Sequence, residues 1–323
     1  MLVSDGASSR WYRDVIEFAS RCAHEAAPYF DTTRGQAIGS HIAKEIGEEK
    51  GNFAISLDSD RCLNGVACLA DLEFDSAIFK MKMGAIRHLY ASGPVAEQAV
   101  VMNEIVSRLL IRAGANGFCH LMARTPSSSY QAIHTLEQHS FRTMGVQVTL
   151  VMKSGLKEPA YQPQQGTAVR PYAESDLPFL EELSAEAFTE SRLFADPCLP
   201  VQATRRLHRL WIANDCHGRA AKVFVADLNG THVGYIACLL HQATGVEEPC
   251  IGDIDLLAVS PSARGKGIGS ALIAAALQWL RPLSSYVIVR TQVSNYRAIA
   301  LYQRAGFELA QAHTTLHARL RHV

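Results

Sequence analysis

Hydrophobic and polar positions divide the chain into two stretches with a similar order of elements, separated by a segment that has no periodicity. From 154 to 166, Pro159, Pro163, two glycines and three glutamines carry no apolar pattern and read as a linker. The pattern therefore predicts a first domain over 1–153 and a second over 167–323. In the second, a short strand at Ala168–Arg170 precedes a helix capped by Ser175 or Asp176 and running to about Phe188, with Pro178 accommodated in its first turn. A helix over Ala203–Asp215 follows. Lys222–Asp227 and Thr231–His241 flank Asn229-Gly230, which supplies the positive φ angles of a tight hairpin. Cys250–Val259 is a long, mostly apolar central strand. A glycine-rich turn then opens a helix at Lys266–Leu280, and strand Tyr286–Thr291, helix Tyr296–Ala305 and further strands after Gly306 complete the order.

The first stretch repeats much of this. Strands are expected at Phe53–Leu57, Gly65–Leu72 and Lys82–Leu89, a helix at Val95–Ala113, a strand at Phe118–Arg124, a helix at Tyr130–His139 and a strand at Thr143–Met152. Ser140-Phe141 closes its last helix where Gly306-Phe307 closes the later one, which reads as an internal duplication. A helical segment before Phe53, with Trp11, Tyr12, Ile16 and Phe18, carries no evident chemistry. The predicted class is α+β, two domains each built on a mixed, mainly antiparallel sheet flanked by helices.

Composition narrows the function. Of 323 residues, 48% are hydrophobic and 19% charged, and no apolar run approaches the ~20 residues of a membrane span. The amino terminus has neither the basic start nor the apolar stretch of a secretion signal, so a cytoplasmic location is expected. Eight cysteines contain no CxxC pair and no close Cys/His set, so no metal site is expected and most read as small core residues. With 31 basic and 31 acidic residues and no basic run, nucleic acid is not an expected partner.

The densest chemical signal runs from Leu257, Ala258 and Val259 through Ser260-Pro261-Ser262-Ala263 to Arg264, Gly265, Lys266, Gly267, Ile268, Gly269 and Ser270, ending a strand and opening a helix. Glycine in a helix costs up to ~1 kcal/mol relative to alanine, so alternating glycines there call for compensation. A bound pyrophosphate supplies it, because oxygens reach the helix-start amides and the dipole, Arg264 and Lys266 favour negative charge. A plain tight turn is the alternative. A Walker loop is excluded because Gly267 follows Lys266, and a dinucleotide fingerprint because Ser270 or Leu272 stands where its last glycine is required.

Arg264-x-x-Gly267-x-Gly269 after a Leu-x-Val strand end resembles the acetyl-CoA loop of the GNAT N-acetyltransferase superfamily. Asn295, Ala298 and Tyr302 match that family's Asn-x-x-Ala-x-x-x-Tyr motif, and the likeness extends to Gly306-Phe307. It implies two tandem GNAT-like domains with acetyl-CoA as acyl donor. Leu257 and Val259 would hold the pantetheine arm through main-chain groups, on a strand splayed from Tyr286–Thr291, and amides from Arg264 to Ser270 would hold the pyrophosphate. The first copy has Ala91-Ser92-Gly93-Pro94-Val95 in place of the loop, so it would be degenerate and bind no acetyl-CoA.

Direct transfer needs a neutral amine, a stabilised oxyanion and a proton for the departing thiolate. Tyr302 would be the acid, since a phenol of reference pKa about 10 stays protonated at neutral pH; the alternative is a packed helix aromatic. Asn295 would contact cofactor, cap its helix, or both. Asp253 and Asp255, two apart on the central strand and expected on the side of Leu257, are the candidates for the base, directly or through water, with a structural hydrogen-bonding role as the alternative. His241 and Glu247 are weaker candidates, and Cys238 and Cys250 read as inert core thiols rather than acyl carriers.

The expected acceptor is a small-molecule amine, with Phe188, Ser191, Arg192 and Phe194 as candidate contacts. Glu186–Phe194 with Leu210-Trp211-Ile212, and Leu72–Phe79 in the first copy, resemble the dTDP-fucosamine (dTDP-4-amino-4,6-dideoxygalactose) acetyltransferases. That resemblance implies a nucleotide-linked amino sugar and a homodimer. A peptide or protein amine acetyltransferase, or an acyl-CoA-binding sensor without catalysis, are the alternative readings.

Overall fold

A computed structural model describes residues 9–25, 53–60, 62–153, 165–241 and 251–320. Most of the linker, Glu247 and Cys250 lie outside them, as do the side chains of Trp11 and Tyr12. The chain forms two compact units. One comprises 1–146 with 311–323, the other 147–310.

In the first unit, α1 (Ser9–Glu25) precedes β1 (Phe53–Leu57) and β2 (Leu63–Asp71). A short helix α2 (Glu73–Phe79), not foreseen from the pattern, leads to β3 (Met83–Ala91), the long α3 (Val95–Ala115), β4 (His120–Pro126) and α4 (Tyr130–Gln138). Alternation along β1 decides the layering. Phe53, Ile55 and Leu57 face Val15, Phe18 and Ala19 of α1, whereas Ala54 joins the core of Ile105, Leu109 and Leu136 from α3 and α4.

The second unit holds β6 (Thr167–Pro171), α5 (Leu177–Ala187), α6 (Arg192–Ala195), α7 (Val201–Asn214), β7 (Lys222–Leu228), β8 (Thr231–His241) and β9 (Ile251–Val259). It continues with α8 (Ile268–Leu280), β10 (Tyr286–Gln292) and α9 (Tyr296–Arg304). Leu180, Leu183 and Ile212 of α5 and α7 pack on Val223, Val225, Tyr235, Leu256 and Ala258 of the sheet. Helix α8 approaches its other face, close enough that a Cβ on Gly234 would lie 3.2 Å from Leu272 and one on Gly252 3.0 Å from Leu280. Both units are mixed, mainly antiparallel sheets flanked by helices, the α+β class expected, and among the described residues no helix is long and apolar enough to cross a membrane.

The units do not coincide with the two halves of the sequence. β5 (Arg142–Lys153), last strand of the first half, pairs antiparallel with β10 from Gln147 to Lys153 and so completes the second unit's sheet, β5-β10-β9-β8-β7-β6. β11 (Glu308–Arg319), last strand of the second half, pairs with β4 from His313 to Arg319 and completes β1-β2-β3-β4-β11. The halves as read from sequence, 1–153 and 167–323, remain our proposal for the two repeats.

The repeat is visible element by element. α4 and α9 are both nine residues, and β5 and β11 are both twelve with the same succession of exposed and buried positions. The Phe141 amide donates to Leu136 O as the Phe307 amide donates to Tyr302 O, each after a residue of positive φ, Ser140 or Gly306. Tyr302 therefore corresponds to Leu136, and Asn295 to Ser129.

A charged knot fastens the start of the second unit. Arg170 on β6 donates two hydrogen bonds to Asp176 (2.8 Å each) and one to Asp227 on β7 (3.0 Å), while His232 Nδ1 lies 2.6 Å from Asp227. The hydrogen bonds from Arg170 hold the buried Asp176 carboxyl below its usual range, aided by the Ala173 amide. A carboxylate whose folded pKa is depressed stabilises the fold above its unfolded pKa of about 3.9, and that stability fades as pH falls through the folded value. Asp176→Ala is expected to cost about 2 kcal/mol near neutral pH, from loss of charged hydrogen bonds. The gap between mutant and parent in urea melts should narrow as pH falls below about 3.9 toward the lowered folded value.

Candidate active site

The site is organised by the way β9 leaves its neighbours. β9 runs parallel to β10, but their pairing stops at Ile254↔Val289, and β10 continues from Arg290 to Gln292 paired with β5 alone. Asp255 to Val259 therefore present main-chain groups to a gap between diverging strands, as the splayed strand was expected to do. The first unit opens in the same way, its β3–β4 pairing ending at Ile86↔Ala123.

At the mouth of the gap, Gly267 is the N-cap of α8 with φ 74°, and Gly265 has φ 76°. Glycine takes that left-handed conformation without steric cost, and as a cap it brings no side chain to occupy the first helical amides. The first amide bonded back within the helix is that of Ala271, to Gly267 O, so those of Ile268, Gly269 and Ser270 have no helical acceptor. Gly269 has a different reason. A Cβ there would lie 3.0 Å from Leu301, so it lets α8 approach α9. Lys266 is exposed, and Arg264, also exposed, donates from Nε to Val259 O at 3.3 Å. The first unit's helix start has no such cradle: Pro94 is the N-cap of α3, and Glu97 puts a carboxylate in its first turn.

Tyr302 on α9 is 5% exposed and packs edge-on against Phe307 with ring centres 5.9 Å apart. Burial pushes its phenol pKa up, so it stays protonated. No neighbouring charge or hydrogen bond contributes to that rise. Asn295 caps α9, its side chain accepting from the Ala298 amide at 3.2 Å.

The two strand aspartates separate into different environments. Asp253 is 1% exposed, with Arg290 Nη1 donating to it at 2.8 Å and His241 Nε2 at 3.0 Å. Burial opposes its charge, but His241 and Arg290 outweigh that and hold the carboxyl below its usual range. Asp255 sits on a β-bulge. The register with β8 passes from Cys238↔Ile254 to Ala237↔Leu256, leaving Asp255 without a partner residue. The bulge resets the alternation, so that Leu256 and Ala258 join the α5–α7 core and Leu257 turns to the opposite face. This corrects the expectation that both aspartates share a side with Leu257: plain alternation fails where one residue is inserted. Asp255 meets Arg219, which also lies 2.7 Å from Asp215. Burial raises the Asp255 pKa and Arg219 opposes it.

Among the acceptor candidates, Phe188 and Phe194 both stack with His208, at 5.4 and 5.7 Å between ring centres, with Trp211 edge-on at 5.1 Å. One face of each phenylalanine is thus spent on packing. Burial lowers the His208 pKa to about 4, and its Nδ1 bonds to Thr204 O at 2.8 Å. Ser191 is the N-cap of α6, which begins at Arg192. His208, Asp215 and Arg219 escaped the sequence reading. The first lies on the apolar stripe of α7, and the other two follow the helix where only their spatial partner, 36 residues on from Arg219, gives them meaning.

Residues 180–307 match the acetyltransferase (GNAT) family. The spore coat polysaccharide biosynthesis protein SpsD of Bacillus subtilis is 27% identical over 269 residues, which are 82% of this chain and 87% of that protein. A GCN5-related N-acetyltransferase from Sphaerobacter thermophilus superposes with a TM-score of 0.63 at 15% identity, over 99% of this chain and 96% of the other. A tandem GNAT protein from the clavulanic acid biosynthesis pathway does so with 0.58 at 14% identity, over 99% and 98%. The last two likenesses concern the fold.

Proposed function

We propose that this chain, an N-acetyltransferase whose residues 180–307 match the acetyltransferase (GNAT) family, passes acetyl directly from acetyl-CoA to the primary amine of a nucleotide-linked amino sugar. The observation that carries the cofactor reading is the gap beyond Ile254↔Val289, which leads to the side-chain-free N-cap at Gly267. An extended pantetheine fits alongside Leu257, Ala258 and Val259, bonding to their main chain. Its pyrophosphate meets the amides from Gly265 to Ser270, with Arg264 and Lys266 beside them. The involvement of SpsD in polysaccharide biosynthesis supports a sugar acceptor. Ser191 and Arg192, at the start of α6, are proposed to meet the acceptor along with the open faces of Phe188 and Phe194.

The acceptor enters as an ammonium and gives one proton to Asp255, becoming a nucleophile. Its nitrogen bonds to the thioester carbon, and the C–S bond breaks. Tyr302 donates its phenolic proton to the leaving sulfur and regains one from the nitrogen of the adduct. Asp255 releases its proton to water, so one proton leaves per turnover. Asp253, already engaged by Arg290 and His241, holds the strand rather than taking the proton. The first unit is catalytically silent on this reading, with Leu136 for Tyr302, and Ala85 and Arg87 at the register positions of Asp253 and Asp255. A cytoplasmic location and a homodimer remain proposals that accompany this reading.

Thiol release from acetyl-CoA should be followed against dTDP- and UDP-linked amino sugars, basic peptides and polyamines. Turnover confined to an amino-sugar nucleotide is the expected outcome. Turnover with peptides alone would move the chain to peptide acetylation, and binding of acetyl-CoA without any turnover would favour a sensor.

A further inference from the structure

Beyond the end of α7 the chain makes a kinked turn, Asp215–Arg219, in which Gly218 adopts φ 108° and brings Arg219 back onto Asp215. Asp215 is 1% exposed, and among the described residues its one cationic partner is Arg219, whose Nε is 2.7 Å from Oδ1. The same guanidinium reaches Asp255 through Nη2. A buried carboxylate held only by a cation that it shares is costly, and the packing of α5 and α7 offers no reason for it.

The groups that act on Asp255 are Asp253 on its own strand, Arg290 on β10, Tyr235 on β8, and Asp215 and Arg219 beyond α7; Cys216 neighbours Tyr235 and Asp215, and Cys238 neighbours Asp253 and Asp215. Burial keeps the tyrosine and both thiols neutral. Two guanidiniums, with His241 against Asp253, are therefore left to balance Asp215, Asp253 and Asp255. Arg290 is committed to Asp253 at 2.8 Å, which leaves one cation for the other two carboxylates.

We propose that Asp215 is a positioning residue for the transfer: it shares Arg219 with Asp255, so that one cation cannot neutralise both carboxylates and Asp255 stays able to take the acceptor's proton. The inference rests on Asp255 as the proton acceptor in the reading above. Burial, with the negative charge of Asp255 beside it, pushes Asp215 itself up to about 7, so the two behave as a coupled pair near neutral pH. The excess negative charge also favours an acceptor that arrives as a cation, R–NH3+, over a neutral hydroxyl compound.

The test needs no acceptor. In full-length protein labelled with 13C at the aspartate carboxyls, Asp255 is assigned through Asp255→Asn and titrated from pH 3 to 9. The midpoint of Asp255 is expected to fall by about one unit or more in Asp215→Asn, which removes a like charge, and to rise by a similar amount in Arg219→Gln, which removes the opposite one. Asp215→Glu keeps the charge and should keep the midpoint near the parent's; it serves if the asparagine variant does not fold. An Asp255 midpoint unmoved by Asp215→Asn, or moved by Asp215→Glu as far as by loss of the charge, would overturn the proposal. Failure of the functional reading would appear separately, as absent thiol release with every amine.

Discussion

Tyr302→Phe is expected to lower kcat for thiol release by ~10²-fold or more, the usual worth of a positioned general acid, with less than about a twofold change in KM for acetyl-CoA. The variant removes one oxygen and keeps the ring that packs on Phe307, so its thermal midpoint should stay close to the parent's. The protein contains its own control. At the corresponding position of the first unit, Leu136 fills the core with no hydroxyl at all, 1% exposed behind the same Phe141 contact. The fold does not require a polar group there. A Tyr302→Phe enzyme of unchanged kcat would assign the residue to packing alone.

Gly267→Val is expected to weaken acetyl-CoA binding by ~10²-fold or more, read by isothermal titration calorimetry. Two effects combine. A left-handed backbone costs a branched residue ~1–2 kcal/mol, and a side chain at the N-cap overhangs the amides of the first turn without accepting from them. The control is Gly265→Ala. Its φ of 76° imposes a similar backbone strain, but a Cβ there meets nothing within 4 Å. It should lose comparable stability and clearly less affinity. Equal losses of affinity in the two variants would attribute the effect to strain rather than to the amides of Ile268, Gly269 and Ser270.

Much of the fold was readable in the chain. β1 appears at Phe53–Leu57 as expected, and the hairpin of β7 and β8 turns at Asn229 and Gly230 with φ 51° and 79°, because that pair adopts the positive angles a two-residue turn requires. What escaped has physical reasons. The four-residue helix Arg192–Ala195 is shorter than two turns of any periodic pattern. The bulge at Asp255 is invisible without its partner strand, since the extra residue is defined only by what stands opposite. Strand exchange escaped because β5 and β11 share one burial pattern, and either could complete either sheet. At the proposed site, the glycine loop stood out because alternating glycines are unusual at a helix start, whereas Tyr302, alone an ordinary helix aromatic, stood out through the Asn-x-x-Ala-x-x-x-Tyr resemblance. Asp215 and Arg219 did not, because a charged residue after a helix is ordinary until its burial is known.

The exchanged strands also bear on why a copy without catalytic groups persists. β5, encoded in the first half, is a partner of β10 in the sheet that carries Asp255 and Arg290. A deletion that discarded the first half would strip Tyr286–Gln292 of its neighbour and leave β11 with no β4 to join. If, as proposed above, the first half performs no transfer, selection acting on transfer alone would still preserve it. Its helix start and its counterpart of Tyr302 would be free to drift while the strand it lends would not, and duplication followed by decay would become an irreversible step in the lineage.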